Sequence, residues 1–214
     1  MFVQWLDTFP ASRAADAATL RRKPLDAEFA VIAARAIHPS VLLFLLCLAP
    51  FSVTQAETLL LHQTAAEVYF SPKGGAEAAI IRTVGQTKRD IRVLAYSFTS
   101  ALIDDALEAA HKRGARVTVI LDKSQITAKG GRLRSLQKAG VPVFIDATHA
   151  IAHNKVMILD GRRVITGSFN FTRSAEERNA ENLLILRNRA LSKKYLQDFG
   201  RHLEHASLAP EQGE

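Results

Sequence analysis

The stretch from His153 to Asn170 constrains this chain more than any other: His-Asn-Lys-Val-Met-Ile-Leu-Asp-Gly-Arg-Arg-Val-Ile-Thr-Gly-Ser-Phe-Asn. It holds two β-branched and aliphatic runs, Val156 to Leu159 and Arg163 to Thr166, joined at Asp160-Gly161-Arg162. Asp-Gly between apolar runs predicts a hairpin, since both residues tolerate the positive φ of a tight turn. Side chains alternate along a strand, so His153 and Lys155 share a face. A two-residue turn at Asp160-Gly161 pairs His153 with Ser168. A two-residue turn at Gly161-Arg162 pairs His153 with Asn170 and Lys155 with Ser168. Both registers gather His153, Lys155, Ser168 and Asn170 on one face. A three-residue loop would shift the register by one and break that grouping. None of these four polar groups is needed to build a hairpin, so their spacing points to chemistry.

The remaining elements predict an α/β fold. Glu67 to Phe70 is a short strand stopped by Ser71-Pro72-Lys73-Gly74-Gly75. Ala76 to Lys88 has helical spacing, and Asp90 to Phe98 is an apolar strand covered on both faces. Thr99 or Ser100 caps a helix that Gly114 stops. Arg116 to Asp122 and Val141 to Ile145 are further strands, with a basic loop from Lys123 to Arg134 and a helix through Lys138 between them. The hairpin follows, then a strand at Asn182 to Leu186 and a helix at Ala190 to His205. Strand-helix-strand repetition predicts a mixed, mostly parallel sheet with helices on both faces. Residues 207–214 are expected to fray.

Breaking a phosphodiester requires an in-line nucleophile, cationic or donor groups at the phosphoryl oxygens, and an acid for the leaving oxygen. An imidazole serves as nucleophile or acid near neutral pH. Lys155 offers a cation, Asn170 an amide and Ser168 a hydroxyl. The motif holds no carboxylate cluster of the metal-ligand kind, which favours a route with no metal and no cofactor over a two-metal one. A lone strand histidine is more often structural; the full spacing is what argues for catalysis.

That spacing resembles the phospholipase D superfamily signature, His-x-Lys-(x)4-Asp-(x)6-Gly-Ser-x-Asn. His153, Lys155, Asp160, Gly167, Ser168 and Asn170 match each fixed position. The flanks Ala95 to Thr99, Ser168 to Thr172 and Glu181-Asn182 are similar to the short, single-motif bacterial nucleases of that superfamily, and the resemblance covers about residues 65 to 205. The family uses two copies of the motif, and this chain has one. The resemblance therefore implies a homodimer with the active site astride the two-fold axis. It implies that one His153 forms a phosphohistidine while the second copy's His153 protonates the leaving oxygen and then activates water. It further implies that Lys155 and Asn170 clamp the phosphoryl oxygens, that Glu181 hydrogen-bonds the histidine, and that Ser168 supports the same network. Asp160 sits at the turn, off the catalytic parity, and is expected to be structural and to pair with a nearby basic group. His111, His149, His202 and His205 lack comparable context and are expected at the surface.

The net charge of +7 and pI of about 9.8 favour a polyanionic partner. Residues 1–56 hold five Lys/Arg and four Asp/Glu, so the positive charge belongs to the remainder. Candidate nucleic-acid contacts are Lys123, Lys129, Arg132, Arg134, Arg162, Arg163, Arg173 and Arg178. The single cysteine, Cys47, excludes an internal disulfide and a cysteine-based zinc site. It lies in a 13-residue apolar run, Val41 to Val53, too short to span a bilayer comfortably. The run fits the h-region of a secretory signal peptide cleaved after Ala56, behind a long N-terminal extension with a downstream start at Val31 as one option. An exported, periplasmic domain over residues 57–206 follows, with an uncleaved membrane anchor as the alternative.

These observations together predict a metal-independent, non-specific endonuclease acting on DNA, with RNA as a further substrate. One alternative is a phospholipase D or cardiolipin-type phospholipid hydrolase. Another is a non-catalytic nucleic-acid-binding module.

Overall fold

A computed structural model describes residues 58–211. The expected leader and the expected cleavage after Ala56 lie outside the described residues. Among the described residues, no helix is long and apolar enough to cross a membrane.

One eight-stranded sheet organises the domain, in the order β1-β7-β6-β5-β2-β3-β4-β8. The strands are β1 (Ala65–Ser71), β2 (Asp90–Ala95), β3 (Arg116–Asp122), β4 (Val143–Asp146), β5 (Lys155–Leu159), β6 (Arg163–Gly167), β7 (Glu181–Arg187) and β8 (Ser207–Leu208). The helices are α1 (Ala76–Gly85), α2 (Ala101–Lys112), α3 (Leu133–Lys138), α4 (Arg173–Glu177) and α5 (Arg189–His205). The sheet is mixed, as expected, but it is not mostly parallel. Only β2-β3 and β3-β4 pair parallel; the other five pairings among the described residues are antiparallel. The reason is connectivity. Parallel neighbours need a crossover connection, and only α2 and α3 supply one between adjacent strands; α4 joins β6 and β7, which pair antiparallel. The helix α1 instead carries the chain from the β1 edge to the centre.

Both faces are covered. Val156, Ile158 and Val164 point to one side, where Phe199 of α5 is buried with Leu94 and Ile120. Met157, Leu159 and Ile165 point to the other, against Ile80 of α1, Ile103 and Leu107 of α2 and Leu136 of α3. This alternation explains why β5 is apolar at every position after Lys155. Leu191, Tyr195, Leu196 and Leu203 of α5 pack beside Phe199, the stripe that the helical spacing predicts.

Several boundaries have local causes. Ser100, not Thr99, caps α2 by accepting from Ile103 N. The strand β2 stops at Ala95 rather than Phe98 because Tyr96 N donates to Asn154 O and Phe98 N to the Gln125 side chain. Ser207 to Ala209 do not fray: β8 pairs with β4, and Ala209 N donates to Val143 O. The buried Ala209 side chain holds this segment in place.

The hairpin corrects both expected registers. Leu159 pairs with Arg163 and Met157 with Ile165, so the loop is the three residues Asp160-Gly161-Arg162. Asp160 and Gly161 both take positive φ, at 52° and 60°. Asp160 is drawn into the loop by its carboxylate, which accepts from Lys88 N, Arg89 N and Asp90 N at 3.2, 2.8 and 3.1 Å. Burial pushes this carboxyl up, and the three backbone bonds outweigh it and hold it below the usual range. Its partners are therefore mainly amides of the segment entering β2, not a basic side chain. It lies one residue beyond the end of β5, about 16 Å along the strand from Lys155, where its carboxylate holds the hairpin loop to the segment entering β2.

Candidate active site

The site gathers at one end of the sheet. The strands β1, β2, β3, β4 and β6 finish there, and β5 and β7 begin there. In this kind of architecture, the carboxyl ends of the parallel strands are where a ligand crevice forms. His153 and Lys155 enter at the start of β5, with Lys155 opposite Ala95 at the end of β2. His153 is exposed, whereas Lys155 is 7% exposed.

The Lys155 ammonium lies 2.8 Å from His153 Nδ1 and 3.0 Å from Nε2, and it donates to His153 O at 3.0 Å. An ammonium has only donors, so the ring nitrogen bonded to it accepts through its lone pair; a neutral ring has one such nitrogen, so one of the two contacts at a time is a hydrogen bond. Tyr96 backs the pair. Its ring centroid is 4.5 Å from that of His153, and Lys155 Nζ lies 5.1 Å from the Tyr96 ring centre. Burial pushes the Lys155 pKa down, and the Glu181 carboxylate opposes that shift. The result is an exposed imidazole seated on a largely desolvated cation.

The other predicted residues follow β6. Extending the observed register sets Lys155 opposite Gly167, so simple alternation does not bring Ser168 and Asn170 to its face. The chain leaves the ladder instead. Ser168 N and Phe169 N both donate to Asn182 O, at 3.1 and 3.3 Å. Two residues opposite one carbonyl form a bulge, and parity after Gly167 no longer sets direction. Phe169 and Phe171 are fully buried and anchor the segment. Ser168 Oγ accepts from Asn182 N at 3.0 Å and from Asn182 Nδ2 at 3.3 Å. Asn170 Oδ1 is buried with no hydrogen-bond partner among the described residues. Such an orphan costs about 1–3 kcal/mol.

A family model described as the cardiolipin synthase, PLD-like domain matches residues 80–203. The chain belongs to the phospholipase D-like family. A phospholipase D of Rickettsia felis is 43% identical over 130 residues, covering 61% of this chain and 65% of that relative. A mitochondrial cardiolipin hydrolase of Xenopus tropicalis is 35% identical over 116 residues, with 54% of this chain and 55% of that one covered. The chain thus spans less than two thirds of these relatives' length. The crystal structure of Nuc, a phospholipase D family member from Salmonella typhimurium, superposes with a TM-score of 0.67 at 32% identity, covering 70% of this chain and 100% of that one.

Within this phospholipase D-like fold, two expectations about the site change. The Glu181 carboxylate accepts from Asn179 Nδ2 at 3.1 Å and acts on Lys155 through its charge; it makes no hydrogen bond to His153. The His153 ring is instead taken up by Tyr96 and Lys155. The basic residues also separate into groups. Arg132 is committed to the buried Asp104 carboxylate at 2.7 Å, and Arg134 to Gln137 Oε1 and Pro210 O, so both are structural. Lys123 donates to His149 O at 3.0 Å. Arg162 and Arg163 sit at the far end of the hairpin, away from His153. Arg173 pairs with Glu177, and Arg178 donates to Ser174 Oγ; both lie on or beside α4, and both are exposed like Lys129.

Sequence reasoning missed three groups. Tyr96 and Asn182 lay in the quoted flanks, but only the fold shows that they touch His153, Lys155 and Ser168. His149, His202 and His205 are not independent surface groups: all three converge on the buried Asp146 carboxylate. His111 is half-buried, with Nδ1 unpartnered among the described residues.

Proposed function

We propose that this chain is a metal-independent phosphodiesterase, an exported endonuclease that cleaves DNA, and RNA as a further substrate, as a homodimer. The observation that carries the reading is the exposed His153 ring held on the buried Lys155 ammonium. In the proposed reaction His153 attacks phosphorus, a nitrogen–phosphorus bond forms, and the bond to the leaving oxygen breaks. The second copy's His153 gives that oxygen a proton. It then takes a proton from water, which displaces His153 and restores both rings. Lys155 holds the phosphoryl oxygens, and the Asn170 amide nitrogen, two residues beyond Ser168 in the motif, is the donor that joins it in this reading.

A second copy has a surface to cover. Val68 and Phe70 are 53% and 68% exposed on one face of the edge strand β1. Phe70 pairs with Asn182, the residue that holds Ser168, so this apolar face runs up to the site. The net charge of +7 supports a polyanionic substrate.

Phospholipid hydrolysis is the second reading, favoured by a specific observation. Leu102, Ile126 and Ile151 are exposed near the end of the sheet that carries His153, a potential apolar rim. The two readings separate in one assay at 25 °C in excess EDTA. The chain is expected to nick plasmid and cut single strands while leaving cardiolipin vesicles intact. Lipid hydrolysis with DNA untouched overturns the nuclease reading, and strict dependence on added Mg²⁺ overturns the metal-free mechanism.

A further inference from the structure

At the same end of the sheet as His153, one side-chain cluster has a composition that the catalytic proposal does not use. Asp146 ends β4, His149 follows in the loop, and His202 and His205 lie in the last turn of α5. Residues three apart on a helix face the same way, so the two α5 rings point together. Asp146 Oδ2 lies 2.7 Å from His202 Nδ1, 2.9 Å from His149 Nδ1 and 3.2 Å from His205 Nε2. One donor atom from each of the four residues falls within 4.8 Å of every other. We propose that Asp146, His149, His202 and His205 form a binding site for a divalent transition metal, Zn²⁺ by donor chemistry.

Three features support a metal over a simple hydrogen-bonded knot. First, three ring nitrogens converge on one carboxylate oxygen, more donors than its roughly two lone pairs can accept well. A cation at the centre turns the same four atoms into ligands. Zn²⁺ takes imidazole nitrogen and carboxylate oxygen at about 2.0–2.2 Å, which places ligand atoms roughly 3.3 Å apart in a tetrahedron. The three Asp146 Oδ2 to nitrogen spacings, 2.7, 2.9 and 3.2 Å, need to open only by a few tenths of an ångström. Second, the carboxylate is pre-oriented. Asp146 is fully buried, and its Oδ1 accepts from Thr148 N at 3.1 Å and His149 N at 3.4 Å, leaving Oδ2 for the centre. Third, an outer group is of the kind that orients metal-bound histidine. The Asp198 carboxylate, an acceptor, lies 3.8 Å from His202 Nε2, the nitrogen that carries the proton when Nδ1 binds the ion.

Three imidazoles and one carboxylate complete four-coordination, so the site is closed and structural rather than catalytic. It fastens the last turn of α5 to the β4–β5 loop, which leads into His153. The side chain of His149 is 47% exposed and gives the ion access from solvent. The donor set has no sulfur.

The test uses the full chain, stripped with EDTA, desalted and titrated with Zn²⁺. About one zinc per chain should remain after gel filtration, measured by mass spectrometry of the metal. At zinc roughly 100-fold above its Kd, Tm should rise by about 5–10 °C. His149→Ala combined with His205→Ala should lose more than about nine tenths of the retained zinc and the Tm shift, whereas His153→Ala keeps both. Wild-type chain that retains no zinc, or a double variant that retains as much, overturns the proposal. Where the double variant does not fold, Co²⁺ replaces zinc in wild-type chain. Intense visible bands of a tetrahedral ion support the site, and the pale spectrum of an octahedral ion overturns it. The stripped chain should still cleave DNA at 25 °C, so failure of this site and failure of the nuclease reading are read separately.

Discussion

Replacing His153 with alanine should lower phosphodiester cleavage by about 10⁴-fold or more while leaving the fold unchanged. The size of the effect follows from the proposed double role. Every site in the dimer loses its nucleophile and its acid in the same substitution. The fold should survive because His153 is exposed and bonds only to Lys155, which keeps its hydrogen bond to the backbone oxygen of residue 153. Exposed substitutions of this kind cost within about 0.5 kcal/mol. Initial rates on an end-labelled duplex, with a melting curve on the same sample, measure both halves. Turnover near the wild-type rate would remove His153 as nucleophile and revive the reading of this chain as a binding module.

The second large effect falls on stability. Gly167→Ala should destabilise the domain by about 3 kcal/mol, a fall in Tm of roughly 6–12 °C. Gly167 has φ of 150°, a backbone conformation that L side chains rarely adopt. An added Cβ would meet Asn182 O at 2.3 Å, and that oxygen already accepts from Ser168 N and Phe169 N. The clash is with backbone, so no side chain can swing away. Relief requires β6 to separate from β7, which carries Ser168 and the bulge with it. Gly161→Ala is the control. Gly161 also has positive φ, at 60°, but an added Cβ meets only Leu196 Cδ1 at 3.8 Å. That variant should lose about 1 kcal/mol. Equal losses in the two variants would mean that φ alone matters at Gly167 and that the close approach to Asn182 does not.

These residues show what the sequence made legible and why. Local patterns carried far. The β3 strand, the cap and stop of α2 and the core stripe of α5 all follow from neighbours in the chain. The hairpin was legible as a hairpin, but its register was not. Asp160 belongs to the loop because its carboxylate reaches amides of Lys88, Arg89 and Asp90, some 70 residues earlier. No local turn preference encodes that bond. The share of parallel pairing was not legible for a related reason: strand-helix-strand repetition describes connections, and β1 pairs antiparallel with β7 at the opposite end of the chain's order. The histidine cluster was the least legible feature. Its members come from β4, a loop and the end of α5, and His202 and Asp146 are 56 residues apart. Arg132 likewise looked like a loop cation free for DNA, and only the fold supplies the buried Asp104 that holds it.

One chain carries one His153 and one Lys155, and the proposed reaction needs two imidazoles on opposite sides of the same phosphorus. Gel filtration with in-line light scattering, assayed fraction by fraction for DNA cleavage, tests that requirement most directly. The account predicts that activity follows the mass of two chains and falls as dilution produces single chains. A fully active single chain would contradict it.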